Sequence, residues 1–459
     1  MSRRYEFNRG LATGQKLEIL AKDPVFSALA AELAPGLGVR TKRSLTDAKG
    51  MLLFGAATVL FGSDRSAEAE VAYQWNRLQP ALKRAGVAVS ADSPAASSWR
   101  YYREEYLTED VVAAMMEAVR GMWANQALEM GLFPAAQSQH DWMDPDHLHT
   151  VYADGTWFAP ASRTNVRGQK SRAKKGAPRL SEGISLGGKL DGYCSVWVLA
   201  RRPEPRMRLI LDFARAQGGG EIPVVLDSLQ VLRSRIGDGL RHFVYDRALR
   251  GHDQVTRIVE MGLLPISKPD SVDAFSDWDV RGHPVRDNVL SFDLDFAGCV
   301  HRLAADYGML WHLEHDGKVW RYTKRMAVEA ISRRVKPDGS CAFDIDLRLR
   351  CEKSWHQLRV DLTEPLLVDG GRRNVRLAAH LKPHPMADMD RFSAAYGIRN
   401  DVEAGFSRFK NNLGIGHRAG SYTRLAHEID LLLLALTSNA LAWAEWQQDH
   451  SEPRHIAAA

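Results

Sequence analysis

Up to about residue 135, apolar positions recur at helical spacing. TDAKGMLLFGAATVLFG predicts one apolar helix. TEDVVAAMMEAVRGMWANQALEMG predicts another, with Thr108 as its cap, acids in its first turn and Gly131 just past its end. Between them, SSWRYYREEYL mixes Trp99, Tyr101, Tyr102 and Tyr106 with Arg100 and Arg103, which suits either a DNA backbone surface or a helix-helix contact. Residues 136–149, AQSQHDWMDPDHLH, read as a polar linker. Beyond it the period changes. HTVYADGTWF, GYCSVWVLA and RLILDFARA read as strands, DSLQVLRSRIGDGL as a helix, and HFVYD as a short strand ending at Asp246. A helix over 251–262 and a strand in LLPISKP follow, giving a mixed α/β layer over 150–270. Residues 271–385 read as a β-rich insertion, clearest in FDIDLRLR, where Phe343, Ile345, Leu347 and Leu349 alternate with Asp344, Asp346, Arg348 and Arg350. Helical patterns return over 386–450, and the tail HIAAA is expected to fray.

Composition adds little to this. At 45% hydrophobic and 25% charged, the 459 residues are ordinary for a soluble globular chain, and 61 basic against 56 acidic residues is only mildly basic. Cys194, Cys299, Cys341 and Cys351 are scattered, which argues against a zinc site or a dense disulfide framework and for a reducing cytoplasm. The apolar runs 51–62 and 431–443 are too short to cross a bilayer and read as buried helices. No secretory leader opens the chain, and no membrane partner is expected.

The chemistry concentrates in YGIRNDVEAGFSRFK, residues 396–410. On one helix at about 100° per residue, Tyr396, Arg399, Glu403 and Lys410 share a sector about 60° wide. Ala395, Ile398, Val402, Phe406, Phe409 and Leu413 form an apolar stripe beside it. Two further acids, Asp154 and Asp246, end short apolar strands, where side chains emerge from a sheet into a crevice. Three acids in one cleft would repel one another, and divalent cations relieve that repulsion while polarising a phosphodiester and activating water. Arg399 and Lys410 would then hold phosphate, and Tyr396 would add a hydrogen bond or a stacking face. Between residues 163 and 179 the chain carries Arg167, Lys170, Arg172, Lys174 and Lys175 with no acid, which reads as a DNA-contacting loop or a solvated charge run.

Blander readings stand beside these. Arg399 and Glu403 form an ordinary surface pair at helical spacing, and a strand-end Asp often only caps a turn. Asp227 reads as a helix N-cap, Asp191 as a turn, and Asp293 and Asp295 as exposed insertion residues. A metal site of His140, Asp144, His147 and His149 in the linker would instead suit a hydrolase of a small substrate.

The spacing Tyr396, two residues, Arg399, three residues, Glu403, six residues, Lys410 resembles the Y-(2)-R-(3)-E-(6)-K signature of a major group of bacterial insertion-sequence transposases in the DDE superfamily. Asp154 in YADGT resembles that family's first catalytic Asp and Asp246 in FVYDRAL its second, although Arg247-Ala248-Leu249 stands where a Gly and an aromatic often follow. The resemblance implies an RNase H-like core interrupted by the β-rich insertion, preceded by a helical DNA-binding region over residues 1–135. It further implies that Asp154, Asp246 and Glu403 hold Mg2+, with Mn2+ as a substitute, for phosphodiester hydrolysis and strand transfer at terminal inverted repeats. Expected partners are double-stranded DNA at element ends and targets, and further copies of the chain in a dimer or larger assembly, in a bacterial cytoplasm near the nucleoid. A catalytically inactive descendant that only binds DNA is the alternative within the same resemblance.

Overall fold

Before residue 130 the described chain is helical: α1 (Thr13–Lys22), α2 (Pro24–Leu33), α3 (Ala48–Phe61), α4 (Asp64–Arg84), α5 (Ala96–Glu105) and α6 (Glu109–Glu129). The structure, a computed structural model, describes residues 11–33, 47–89, 91–135, 141–158, 193–204, 207–216, 220–249, 251–268, 280–287, 289–296, 298–306, 308–350, 355–368, 373–381, 389–407, 413 and 423–451. Two compact units emerge. The first joins residues 1–132, 155–221 and 403–459; the second joins 133–154 and 222–402.

In the first unit α3 is apolar almost all round and buried accordingly. The Asp47 side chain caps α3 by accepting Gly50 N–H, and Thr108 caps α6 by accepting Val111 N–H. On α5, Trp99 and Tyr102 are buried and Arg100 binds Asp64 of α4 at 2.7 Å, so the segment makes a helix-helix contact, while Tyr101 stays 50% exposed. α6 is followed by Gly131 at φ 75°, the left-handed residue expected there.

β1 (Thr150–Phe158), β2 (Tyr193–Arg201) and β3 (Arg208–Arg215) follow, β2 and β3 antiparallel with Trp197 stacked on its cross-strand partner Phe213. Next come α7 (Ile222–Ile236), β4 (His242–Val244), α8 (His252–Glu260) and β5 (Leu264–Ile266). Strand hydrogen bonding runs in the order β3-β2-β1-β4-β5, with β1-β4 and β4-β5 parallel. Asp227 is not an N-cap: α7 already starts at Ile222, because Pro223 fits a first helical turn and Ile222, Val225, Leu226, Leu229 and Leu232 bury one face.

In the second unit β6 (Leu290–Phe296), β7 (Cys299–Asp306), β8 (Met309–His315) and β9 (Trp320–Arg325) make an antiparallel sheet. β10 (Ala327–Val335), β11 (Cys341–Arg350) and β12 (Trp355–Asp361) make another, and β13 (Pro365–Val368) pairs with β14 (Arg373–Arg376). Asp293 and Asp295 are exposed, as alternation predicts. Alternation fails at Asp344 and Asp346 on β11, which are only 7% and 9% exposed. Arg334 of β10 and Arg359 of β12 cover that face, Arg359 gripping Asp346 with two bonds of 2.8 and 3.0 Å.

Short α9 (Leu377–Leu381) leads to α10 (Met389–Gly397), α11 (Asn400–Ser407) and α12 (Arg424–Ser451). By length and composition alone α12 could cross a membrane, contrary to the expectation from its shorter apolar run, and 83% of its most apolar window is buried. It packs on α1, α2, α3, α6 and β3 within the first unit. Its Asn439 amide both accepts from Ile210 N–H and donates to Ile210 C=O, each at 2.8 Å, which satisfies backbone groups of edge strand β3.

Asp23, between α1 and α2, is 4% exposed and accepts Phe26 N–H at 2.8 Å. Burial pushes its carboxyl up to about 6. The folded state therefore holds this proton more tightly than the unfolded chain, whose Asp titrates near 3.8. The resulting stabilisation is complete below that value and is lost as pH rises through about 6. Asp23→Asn keeps the acceptor for Phe26 N–H and removes the buried charge; Gln126, whose Nε2 now lies 3.4 Å from Asp23 Oδ2, turns its amide to accept from the new Nδ2. The variant is expected to melt above wild type at pH 7, with the gap closing towards pH 4; a thermal melt series across that range checks it.

Candidate functional site

Asp154 and Asp246 are placed by strand register. The last β1-β4 pair is Tyr152↔Val244, and each Asp lies two residues further along its own chain. Side chains two apart share a face, so both carboxylates emerge on the same side, beyond the buried Tyr152 and Val244. Asp246 Oδ1 accepts Ala248 N–H at 2.7 Å, and Ser267 donates its hydroxyl to the Asp246 carbonyl at 2.6 Å from just past β5. The turn-capping reading of Asp246 is therefore correct as far as it goes. It leaves the carboxylate half-exposed beside Asp154.

Arg399 donates to Asp154 through Nη2, 3.3 Å from Oδ2. The contact ties the guanidinium to an acid of the same unit. Tyr396 joins the group: its ring stacks on Phe392 at 5.6 Å, and Lys268 Nζ lies 5.2 Å from its centroid. Burial pushes the Tyr396 hydroxyl above its ordinary range; Asp246 and Asp154 push the same way, while Arg399 and Arg247 pull it back. At neutral pH Tyr396 is thus a protonated hydrogen-bond donor.

The single helix expected across Tyr396–Lys410 is broken. α10 ends at Gly397 and α11 begins at Asn400. Between them the bonds tighten to three-residue spacing, Arg399 N–H to Tyr396 C=O at 2.9 Å and Val402 N–H to Arg399 C=O at 2.9 Å. The continuous wheel that carries Tyr396 and Arg399 into the following helix is interrupted by this turn. The buried stripe does in part, at Ala395, Ile398, Val402 and Leu413. Glu403 is an exposed residue of α11 and belongs to the first unit. Lys410 and the basic residues Arg167, Lys170, Arg172, Lys174 and Lys175 lie outside the described residues, as does His140.

Within the second unit two acids, two arginines, a tyrosine and a lysine therefore gather. The oxygen donors of Asp154 and Asp246 suit a hard divalent cation such as Mg2+. Among the described residues, no group of three or more His, Cys, Asp or Glu side chains could hold a metal ion. Of the described linker histidines, His149 Nδ1 lies 2.8 Å from Asp146 and His147 Nδ1 lies 3.8 Å from Asp401.

Ser267, Lys268 and Arg247 escaped the sequence reading. Ser267 and Lys268 follow strand LLPI, the same position past a strand end that marks Asp246. In the first unit, Gly155 backs onto another acid. A Cβ there would lie 2.2 Å from Glu221 Oε1, so the residue following Asp154 must be glycine for Glu221 to keep its place.

No family model matches the chain, and no curated protein matches it. Among solved structures, the chain is similar to a cryo-EM structure of the piggyBac transposase synaptic complex with hairpin DNA, at 9% identity and a TM-score of 0.26, over 96% of this chain and 82% of that one. A likeness at that level decides nothing about this chain's activity.

Proposed function

We propose that the chain is a DDE transposase that binds the terminal inverted repeats of an insertion sequence, cuts the element ends and joins them to target DNA. The observation that carries the reading is that Asp154, which lies within β1 rather than at its end as the sequence suggested, and Asp246, just past β4, each stand two residues beyond the last β1-β4 pair, with Arg399 on Asp154. The strand order β3-β2-β1-β4-β5, antiparallel between β2 and β3 and parallel through β1, β4 and β5, supports an RNase H-like core. The tyrosine-arginine-glutamate-lysine spacing over residues 396–410 supports the insertion-sequence group.

In this reading Asp154, Asp246 and Glu403 hold Mg2+, or Mn2+ in its place, which when bound polarises the phosphodiester and activates the attacking water or hydroxyl. Arg399 holds Asp154 in place and offers its remaining N–H groups to a phosphate. Tyr396 donates a hydrogen bond from a half-buried hydroxyl, while Lys268 and Arg247 supply positive charge. Lys410 and the basic run of residues 163–179 grip the DNA backbone, so binding weakens steeply with salt. The working form is a dimer or larger assembly on DNA in the bacterial cytoplasm.

A second reading is a DNA-binding descendant without catalysis, against which the intact acids at positions 154, 246 and 403 count. Strand cleavage on DNA carrying the element's own ends, with and without Mg2+, separates the two. Magnesium-dependent nicking at the ends supports the transposase, and binding without nicking supports the descendant.

A further inference from the structure

Cations gather around one exposed indole in the strand-rich part of the second unit. Trp355 opens β12 directly opposite Arg350 of β11 and is 53% exposed. Arg348 lies two residues from Arg350 and so on the same face of β11. The guanidinium carbons of Arg348 and Arg350 stand 5.0 and 5.7 Å from the ring centroid, and Lys324 Nζ of β9 stands 5.2 Å from it. Among the described residues Glu329 is the acid paired there, 3.5 Å from Arg348 Nε, so these three cations outnumber it.

As a device for stability this arrangement is poor. Like charges are crowded, a large ring is left in water, and exposed cation-ring contacts return little. For a polyanion it is well made. The ring holds three long side chains near fixed positions, so less conformational freedom is lost when their heads meet phosphates. The cations already sit over the ring, which is thereby a frame for them rather than a stacking platform for a base.

We propose that Trp355, Lys324, Arg348 and Arg350 form a docking surface for the phosphodiester backbone of duplex DNA, an inference that rests on the DNA reading of the preceding subsection. The surface uses neither Asp154 nor Asp246 and carries no base specificity.

The test is binding of the full-length chain to a random-sequence duplex over a salt series from about 50 to 200 mM. Wild type is compared with the triple variant Lys324→Gln, Arg348→Gln, Arg350→Gln and with Trp355→Ala, each checked for an unchanged thermal melt. The triple variant should flatten the slope of log affinity against log salt by about 2 to 3. Trp355→Ala should weaken binding by about 3- to 10-fold with the slope unchanged, because the charges remain while their frame is gone. A well-folded triple variant with the wild-type slope overturns the docking surface and leaves the DNA reading standing. Wild type that does not bind the duplex removes both. Unaltered DNA binding alongside lost binding of poly-glutamate assigns the surface to an acidic protein and also overturns the proposal.

Discussion

Asp246→Asn is expected to lower strand cleavage by about 10³-fold while leaving DNA binding and the thermal midpoint at wild-type values. Several features of the position separate chemistry from folding. The side chain is only half-buried, so the substitution creates no cavity. Asn presents an acceptor oxygen where Oδ1 takes the Ala248 N–H, so the turn after β4 is kept. The Ser267 hydroxyl binds the Asp246 main-chain carbonyl and does not sense the change. What disappears is the negative charge that faces Asp154 across the strand pair and that a divalent cation needs. Cleavage rates at saturating protein, beside a binding isotherm on the same DNA, check this. Cleavage within a few-fold of wild type would reduce Asp246 to the turn cap it also is.

The second large effect is structural. Gly239→Ala should cost about 3 kcal/mol or more, because the new methyl carbon would lie 2.0 Å from the Phe133 carbonyl oxygen. The obstacle is backbone, not the movable end of a side chain. Phe133 is itself constrained: it holds a left-handed φ of 53°, is buried, and donates its N–H to Leu148 C=O at 2.7 Å. Retreat there would disturb both ends of the segment that leads into β1. Gly237 provides the control, with φ 75° and nothing within 4 Å of an added Cβ. Gly237→Ala should therefore lose only about 1 to 2 kcal/mol for the left-handed backbone. Thermal midpoints of the two variants decide the matter, and equal losses would mean that the close approach to Phe133 is not what fixes glycine at 239.

Local chemistry was legible in the sequence wherever one segment decided its own form. Thr108 caps α6, Gly131 takes the left-handed turn after it, and the runs around Asp154 and Asp246 are strands, because cap, turn and alternation are encoded within a few residues. What escaped depended on neighbours or on a competing local signal. Asp227 looked like a cap because IPVVL reads as a strand, yet Pro223 and the buried face of α7 start the helix earlier. Asp344 and Asp346 looked exposed because no pattern within β11 announces Arg334 and Arg359 from the flanking strands. In YGIRNDVEAGFSRFK the residue types were legible but the continuous helix was not real: the chain tightens after Gly397, and Arg399 turns to Asp154, 245 residues away in sequence. Lys268 over Tyr396 is equally invisible without the fold.

Glu403 carries the central claim, since it extends the site from the Asp154 and Asp246 pair to a three-acid centre. The direct measurement is Mg2+-dependent strand cleavage of the element's own end by wild type and by Glu403→Gln at matched DNA occupancy. Glu403 is exposed, so the isosteric change should leave the fold intact. The account predicts cleavage by wild type and a loss of about 10³-fold in the variant, with equal binding. Equal cleavage by both proteins would contradict it, taking Glu403 out of the site together with the match of residues 396–410 to a catalytic signature.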